Sequence, residues 1–147
     1  HMLDAVLVSP VYETAALLPE GAPDAWDIPY LNCVLKGRAR TGDPLGLLQQ
    51  AKQMEAQLGR SSDAPRWSPR VIDIDLLAFG DRCMEVEALT LPHPGLLKRA
   101  FVLFPLADIA PDWLYPEDGA AHGKTARMLA DALEGCEDVH KTAITLE

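Results

Sequence analysis

The chain is poor in several things, and each shortage excludes something. Its three cysteines (Cys33, Cys83 and Cys136) are far apart and form no CxxC pair. A disulfide framework and a zinc knuckle are therefore excluded, and free thiols in a reducing compartment are expected. No apolar run approaches the roughly 18 residues of a membrane span. The opening His1-Met2-Leu3 lacks the basic, apolar and small-residue order of a signal peptide, and His1-Met2 reads as a cloning scar. Bases are scarce, with thirteen Lys and Arg against 22 Asp and Glu and a net charge of −9. A general nucleic-acid or anionic-membrane surface needs the opposite balance. A Walker A loop and a GxGxxG turn are missing, so neither a P-loop nor a Rossmann site is indicated.

What remains is a chain of 147 residues, 48% apolar, which fits one domain spanning 1–147 with a real core. The charge is unevenly spread. Between Arg60 and Phe101 six bases (Arg60, Arg66, Arg70, Arg82, Lys98, Arg99) balance six acids (Asp63, Asp73, Asp75, Asp81, Glu85, Glu87). The remainder carries the whole −9, so the middle segment is where an anionic ligand is least repelled. Ordinary surface variation explains the same count.

Pattern predicts mixed structure. Leu3–Thr14 and Tyr30–Arg40 read as strands pairing antiparallel, separated by a long proline-containing loop. Asp43 caps a helix with Pro44 at its first position, Leu47, Ala51, Met54 and Leu58 facing inward, and Gly59 as its stop. Val71–Phe79 reads as a third strand, with a short one near Cys83–Val86. A short helix is expected within Leu96–Ile109, interrupted by Pro105. A further helix is expected over Lys124–Leu133, with Met128, Leu129, Ala132 and Leu133 inward and Gly135 as its stop, and a last strand within Val139–Leu146.

The stretch richest in chemistry is Arg66-Trp67-Ser68-Pro69-Arg70-Val71-Ile72-Asp73-Ile74-Asp75-Leu76-Leu77. Strand alternation sends Ile72, Ile74 and Leu76 to one face and Asp73 and Asp75 to the other, with carboxylates about 6–7 Å apart. Two such acids repel unless a cation lies between them. Magnesium binds through one or two carboxylates plus phosphate oxygens and water. A solvated acidic face is the plain alternative. Arg70 suits phosphate, or a salt bridge to the same aspartates. Trp67 suits stacking, or the core. His93, between Pro92 and Pro94, is expected to be stiffly held and exposed. Tyr30 and Asn32 share a strand face that suits a flat heterocycle, or ordinary packing.

These residues carry a resemblance. Arg66-Trp67-Ser68-Pro69-Arg70-x-Ile72-Asp73-Ile74-Asp75-Leu76-Leu77-x-Phe79-Gly80, Leu91-Pro92-His93-Pro94, Arg99-Ala100-Phe101-Val102-Leu103-x-Pro105-Leu106 and Ile109-Ala110-Pro111 resemble the 6-hydroxymethyl-7,8-dihydropterin pyrophosphokinase family of folate biosynthesis. Ser9-x-x-Tyr12-x-Thr14, Tyr30-Leu31-Asn32 and Glu55-x-x-Leu58-Gly59-Arg60 add to it, so that the resemblance runs from Val6 to about Leu133. It implies an α+β, ferredoxin-like fold with an antiparallel sheet. It also implies a cytoplasmic enzyme that moves pyrophosphate from ATP to the pterin hydroxymethyl group and releases AMP. Asp73 and Asp75 would ligate two magnesium ions. Arg70 and Arg99 would contact the phosphates, with Arg60 closing over them. Glu55, Ile74, Thr90, His93 and Trp67 would border ATP. Thr14, Tyr30, Asn32, Trp67 and Phe101 would form the pterin pocket, the rings of Tyr30 and Phe101 sandwiching the pterin.

The chain departs from the family at Ser68 (usually glycine), Ala15 (usually proline) and Pro94 (tyrosine in some members). The family's opening strand, Gly-Ser-Asn loop and helix have no counterpart here. That departure leaves three expectations: a shortened chain, a strand-swapped homodimer, or a tail that fills the gap beside the Asp73/Asp75 strand; fusion to another folate enzyme is a separate expectation. It also makes weak turnover, or a non-catalytic fragment that binds nucleotide or pterin, the competing expectation. A calcium-binding surface rests on the acidic charge alone.

Overall fold

In a computed structural model, residues 2–15, 18–59, 72–135, 138–144 and 146 are described. The chain is α+β, with small antiparallel sheets around a helical core. Strand β1 (Leu3–Val8) pairs with β4 (Leu35–Ala39), from Leu3 opposite Ala39 to Val8 opposite Leu35. Strand β2 (Tyr12–Thr14) lies between β3 (Tyr30–Asn32) and β7 (Val139–Lys141). A separate hairpin joins β5 (Met84–Val86) to β6 (Leu89–Leu91).

Each of the two long strands expected in the first forty residues is therefore broken in two, and the breaks face each other. Pro10 has no N–H to give a ladder. Beside it, buried Ser9 donates its backbone N–H to the Val34 carbonyl (2.9 Å), and its Oγ accepts from the Val34 N–H (2.8 Å). That clamp lies between the end of the β1–β4 ladder and the start of the β2–β3 ladder.

Helix α1 (Pro44–Gln57) begins as the sequence predicts: Asp43 Oδ1 accepts from the Leu45 N–H at 3.1 Å, and Pro44 follows. It ends at Gly59, whose φ of +97° is the left-handed conformation glycine adopts without strain. Its buried face is a correction. Pro44, Leu47, Ala51 and Glu55 are buried, whereas Met54 and Leu58 are exposed. Positions four apart stack on one face, and the stripe 47–51–55 ends on a carboxylate that has partners inside.

Helix α2 (Ala100–Ile109) is apolar almost all round, as a helix buried on most sides must be. It runs through Pro105 instead of stopping there. Leu103 on α2 and Leu96 in the preceding turn (Leu96–Lys98) are both 0% exposed. They join Val34, Val102, Leu106, Tyr115 and buried residues of α3 (Ala126–Asp131) in the core. Helix α3 is capped by Thr125, whose Oγ1 accepts from the Met128 N–H at 3.1 Å. Ala126, Leu129 and Ala130 face inward; Met128 and Ala132, expected inside, face solvent.

The expected third strand is also corrected. Among the described residues, 72–79 joins no ladder. Strand β7 pairs with β2, so the tail does not fill the place beside the acidic segment. Among the described residues, no helix is long and apolar enough to cross a membrane.

The core assignment sets a stability test. Leu103→Ala should lower unfolding free energy by about 2–5 kcal/mol, and Met128→Ala by less than about 0.5 kcal/mol. Urea denaturation measures both, and a Leu103→Ala loss as small as that of Met128→Ala contradicts the packing described.

Candidate functional site

Without a ladder, 72–79 still keeps the alternation of a strand. Ile72, Ile74 and Leu76 are half-buried, while Asp73 and Asp75 are exposed. Its ties run to other parts of the fold. The Ile74 N–H donates to Glu55 Oε2 on α1 at 2.7 Å. The Leu77 carbonyl accepts from the His93 N–H at 2.8 Å, and the Gly80 carbonyl accepts from the Trp113 indole at 3.1 Å. A helix carboxylate and the loop after β6 thus do part of what a neighbouring strand would do.

Glu55 itself is only 2% exposed. A carboxylate out of water is costly unless charged or hydrogen-bonded partners meet it. Its Oε1 lies 3.2 Å from Lys52 Nζ one turn earlier, and its Oε2 takes the Ile74 amide. Glu55, expected at the edge of a nucleotide pocket, meets the acidic segment through the Ile74 amide.

His93 comes to the same place from the other side. It follows β6, after a cis Leu91–Pro92 bond, and is half-buried instead of exposed. Its Nδ1 accepts from the Gly95 N–H at 3.0 Å, which holds the ring and leaves Nε2 as its other polar atom. Burial pushes His93 below the ordinary imidazole value of 6.5; Asp75 pulls it back up, Arg99 presses it down, and Asp73 adds a smaller pull upward. One ring therefore senses both carboxylates and the guanidinium. Arg99 lies across the turn before α2. A side chain at Gly95 would place its Cβ 2.6 Å from Arg99 Nε, so glycine there leaves the guanidinium room. The same guanidinium stands 5.7 Å from the centre of the Phe101 ring. Thr90, half-buried on β6, lies opposite Glu85.

The other group of expected residues sits on β2 and β3. Thr14 lies opposite Tyr30, and Tyr12 opposite Asn32. Asn32 Nδ2 donates to Thr14 Oγ1 at 3.1 Å, which orients the amide, and the Tyr30 ring is exposed. Helix α2 anchors to this sheet through Tyr12, whose ring meets Phe104 at 6.2 Å and whose hydroxyl donates to Asp108. Phe101 is one turn before Phe104 on that helix. The two expected clusters are thus joined through α2: Arg99 and Phe101 at its start, Tyr12 and β2 against its middle.

Arg60, Trp67 and Arg70, like Arg66, Ser68 and Cys136, lie outside the described residues. Cys33 and Cys83 are unpaired and exposed. Among the described residues, no group of three or more His, Cys, Asp or Glu side chains is placed to enclose a metal ion. A cleft of about 230 Å³ lies elsewhere, between α2 and α3, lined by Tyr12, Phe104, Asp108, Arg127 and Glu134. Tyr12 is its one residue from the quoted motifs, and none of the expected ATP, metal or pterin residues lines it. What the sequence reading missed is the support: the Glu55–Ile74 bond, the Gly95 cradle for Arg99 and the Tyr12–Asp108 anchor. For Glu55 a signal existed, since an acid sits at the next four-residue step after Leu47 and Ala51.

The depressed His93 value has a sign. The unfolded chain, with an ordinary imidazole at 6.5, takes up a proton at a higher pH than the folded chain does. The contribution of His93 to stability is therefore complete above pH 6.5 and is lost as pH falls below it, toward the depressed folded value. Proton NMR of the His93 ring should give a midpoint below 6.5; a midpoint at or above 6.5 contradicts the burial described.

Comparison with known proteins bears on the whole arrangement. The description of the family 7,8-dihydro-6-hydroxymethylpterin-pyrophosphokinase (HPPK) matches residues 1–111. The chain is 40% identical over 124 residues to a folate synthesis bifunctional protein of Chlamydia caviae, covering 81% of this chain and 28% of that protein. It is 40% identical over 118 residues to a 2-amino-4-hydroxy-6-hydroxymethyldihydropteridine pyrophosphokinase of Synechocystis, covering 80% of this chain and 57% of that one. The enzyme of the same name from Pseudomonas aeruginosa is 38% identical over 131 residues, 89% of this chain and 72% of its own. The chain thus spans about a quarter of the bifunctional relative's length. With Asp73, Asp75, His93 and Arg99 drawn to one place, and Thr14, Asn32 and Tyr30 to a sheet tied to it through α2, this chain belongs to the HPPK family.

Proposed function

We propose that this protein transfers pyrophosphate from ATP to the hydroxymethyl group of 6-hydroxymethyl-7,8-dihydropterin and releases AMP, as a step of folate synthesis in the cytoplasm. The observation that carries this reading is the exposed Asp73/Asp75 pair, both of whose carboxylates act electrostatically on His93, as the Arg99 guanidinium does. A pair of carboxylates, and not a closed cage, suits magnesium that takes its other ligands from phosphate and water. Two such ions held by Asp73 and Asp75 would offset the charge of the triphosphate.

The residues of the chain supply position. Arg99 meets phosphate oxygens, and Arg70 and Arg60 add to it from the segment outside the described residues. His93, held below the ordinary imidazole range by burial, offers a hydrogen bond to the nucleotide, and Glu55, Thr90, Ile74 and Trp67 border ATP with it. Thr14 and Asn32 present polar atoms to the pterin edge, and the Tyr30 and Phe101 rings cover its faces. The pterin hydroxyl oxygen then attacks the β-phosphorus. The bond from that phosphorus to the α,β-bridging oxygen breaks, AMP leaves with the oxygen, and the hydroxyl proton passes to solvent. Alignment and charge stabilisation carry most of the rate.

The test is to incubate the chain with ATP, magnesium and the hydroxymethyl pterin and to follow AMP and the pterin diphosphate by chromatography. Equal amounts of the two products are expected. Arg99→Ala should lower kcat/KM by roughly 10²–10³, and Asp75→Asn at least as much. Binding of both substrates without AMP would replace this reading with that of a non-catalytic binding protein, and ADP in place of AMP would refute the pyrophosphate transfer.

A further inference from the structure

We propose that Glu55 is the positioning residue of the acidic pair: its buried carboxylate holds the Ile74 amide so that Asp73 and Asp75 project together. This rests on the reading of Asp73 and Asp75 as magnesium ligands and assigns Glu55 an indirect part in it. Ile74 stands between the two aspartates. Its N–H belongs to the peptide plane that follows Asp73, so fixing that N–H fixes how the chain is rotated at the point from which both side chains leave. The bond to Glu55 Oε2 is 2.7 Å, in the range of a charge-assisted hydrogen bond.

Three observations set this bond apart from incidental packing. Glu55 is 2% exposed, and it occupies the place on the α1 stripe where an apolar residue would pack without cost. The segment it holds joins no ladder among the described residues, so the amide is not already fixed by a neighbouring strand. The next described backbone tie, from the His93 N–H to the Leu77 carbonyl, falls beyond both aspartates. Lys52 Nζ lies 3.2 Å from Oε1 while its own side chain reaches solvent. Magnesium demands near-octahedral geometry, so loosening this peptide should cost metal affinity before it costs the pterin pocket on β2 and β3.

Manganese, a spectroscopic stand-in for magnesium, tests this. Its affinity for the full chain with a non-hydrolysable ATP analogue is read by electron paramagnetic resonance, and pterin affinity by calorimetry. Glu55→Ala should weaken manganese binding roughly 10–100-fold, the usual cost of losing a group that orients a ligand. Glu55→Gln, which keeps an oxygen for the Ile74 N–H, should recover most of that loss, with pterin affinity unchanged in both. Equal losses in the two variants, or none in Glu55→Ala, overturn the proposal. Should Glu55→Ala fail to fold, hydrogen exchange in the unmutated chain decides: the Ile74 amide is expected to be protected, and exchange at the rate of a free amide overturns the assignment. Asp73→Asn and Asp75→Asn separate the two layers. If they leave manganese binding intact, the underlying site is wrong; if they abolish it while Glu55→Ala does not, only the role of Glu55 falls.

Discussion

Among the described residues, a hydrogen bond from the Ile74 amide to the Glu55 carboxylate ties the acidic segment to α1. Residues 72–79 have the composition of a central strand but no ladder among the described residues. Backbone N–H groups away from water need partners, and a side chain supplies this one. The cost is a carboxylate taken into the interior at the end of the Leu47–Ala51 stripe of α1. In the role proposed for Glu55, the return is that the helix, and not a loop, sets the direction of two exposed aspartates.

The second organising element is α2. Its apolar surface forms the middle of the core through Val102, Leu103 and Leu106. Because that middle is fixed, its beginning is fixed as well, and Arg99 and Phe101 sit there. Arg99 and the two aspartates all act on His93, while Tyr12, packed on Phe104 and bonded to Asp108, brings in the sheet that carries Thr14, Asn32 and Tyr30. The proposed polyanion-binding region and the proposed heterocycle-binding surface are thus coupled through one buried helix, an arrangement suited to joining two substrates.

Much of this was legible in the sequence, for reasons of local chemistry. The Asp43-Pro44 start of α1 and the glycine after it are set by capping and by left-handed backbone, both short-range. The alternation that exposes Asp73 and Asp75 follows from period-two geometry, with or without a ladder. The antiparallel pairing of β1 with β4 and of β2 with β3 was legible; the break at Ser9 and Val34 was not, because it depends on a hydroxyl reaching across 25 residues. The inward faces of α1 and α3 were misjudged at Met54, Leu58, Met128 and Ala132, where hydropathy pointed inside and the packing partners lay elsewhere. Glu55 was noticed only through its motif. Nothing in its own neighbourhood says that its carboxylate meets an amide 19 residues later.

The central claim is that the aspartate pair organises a metal–triphosphate complex within reach of a pterin held on β2 and β3. A crystal structure of the chain with magnesium, a non-hydrolysable ATP analogue and the hydroxymethyl pterin tests it most directly. The account predicts magnesium density touching both the Asp73 and Asp75 carboxylates and the phosphate oxygens, with the pterin between the Tyr30 and Phe101 rings and its hydroxyl facing the β-phosphorus. Nucleotide bound away from the aspartates, or both acids turned to bulk solvent in a fully occupied complex, would contradict it.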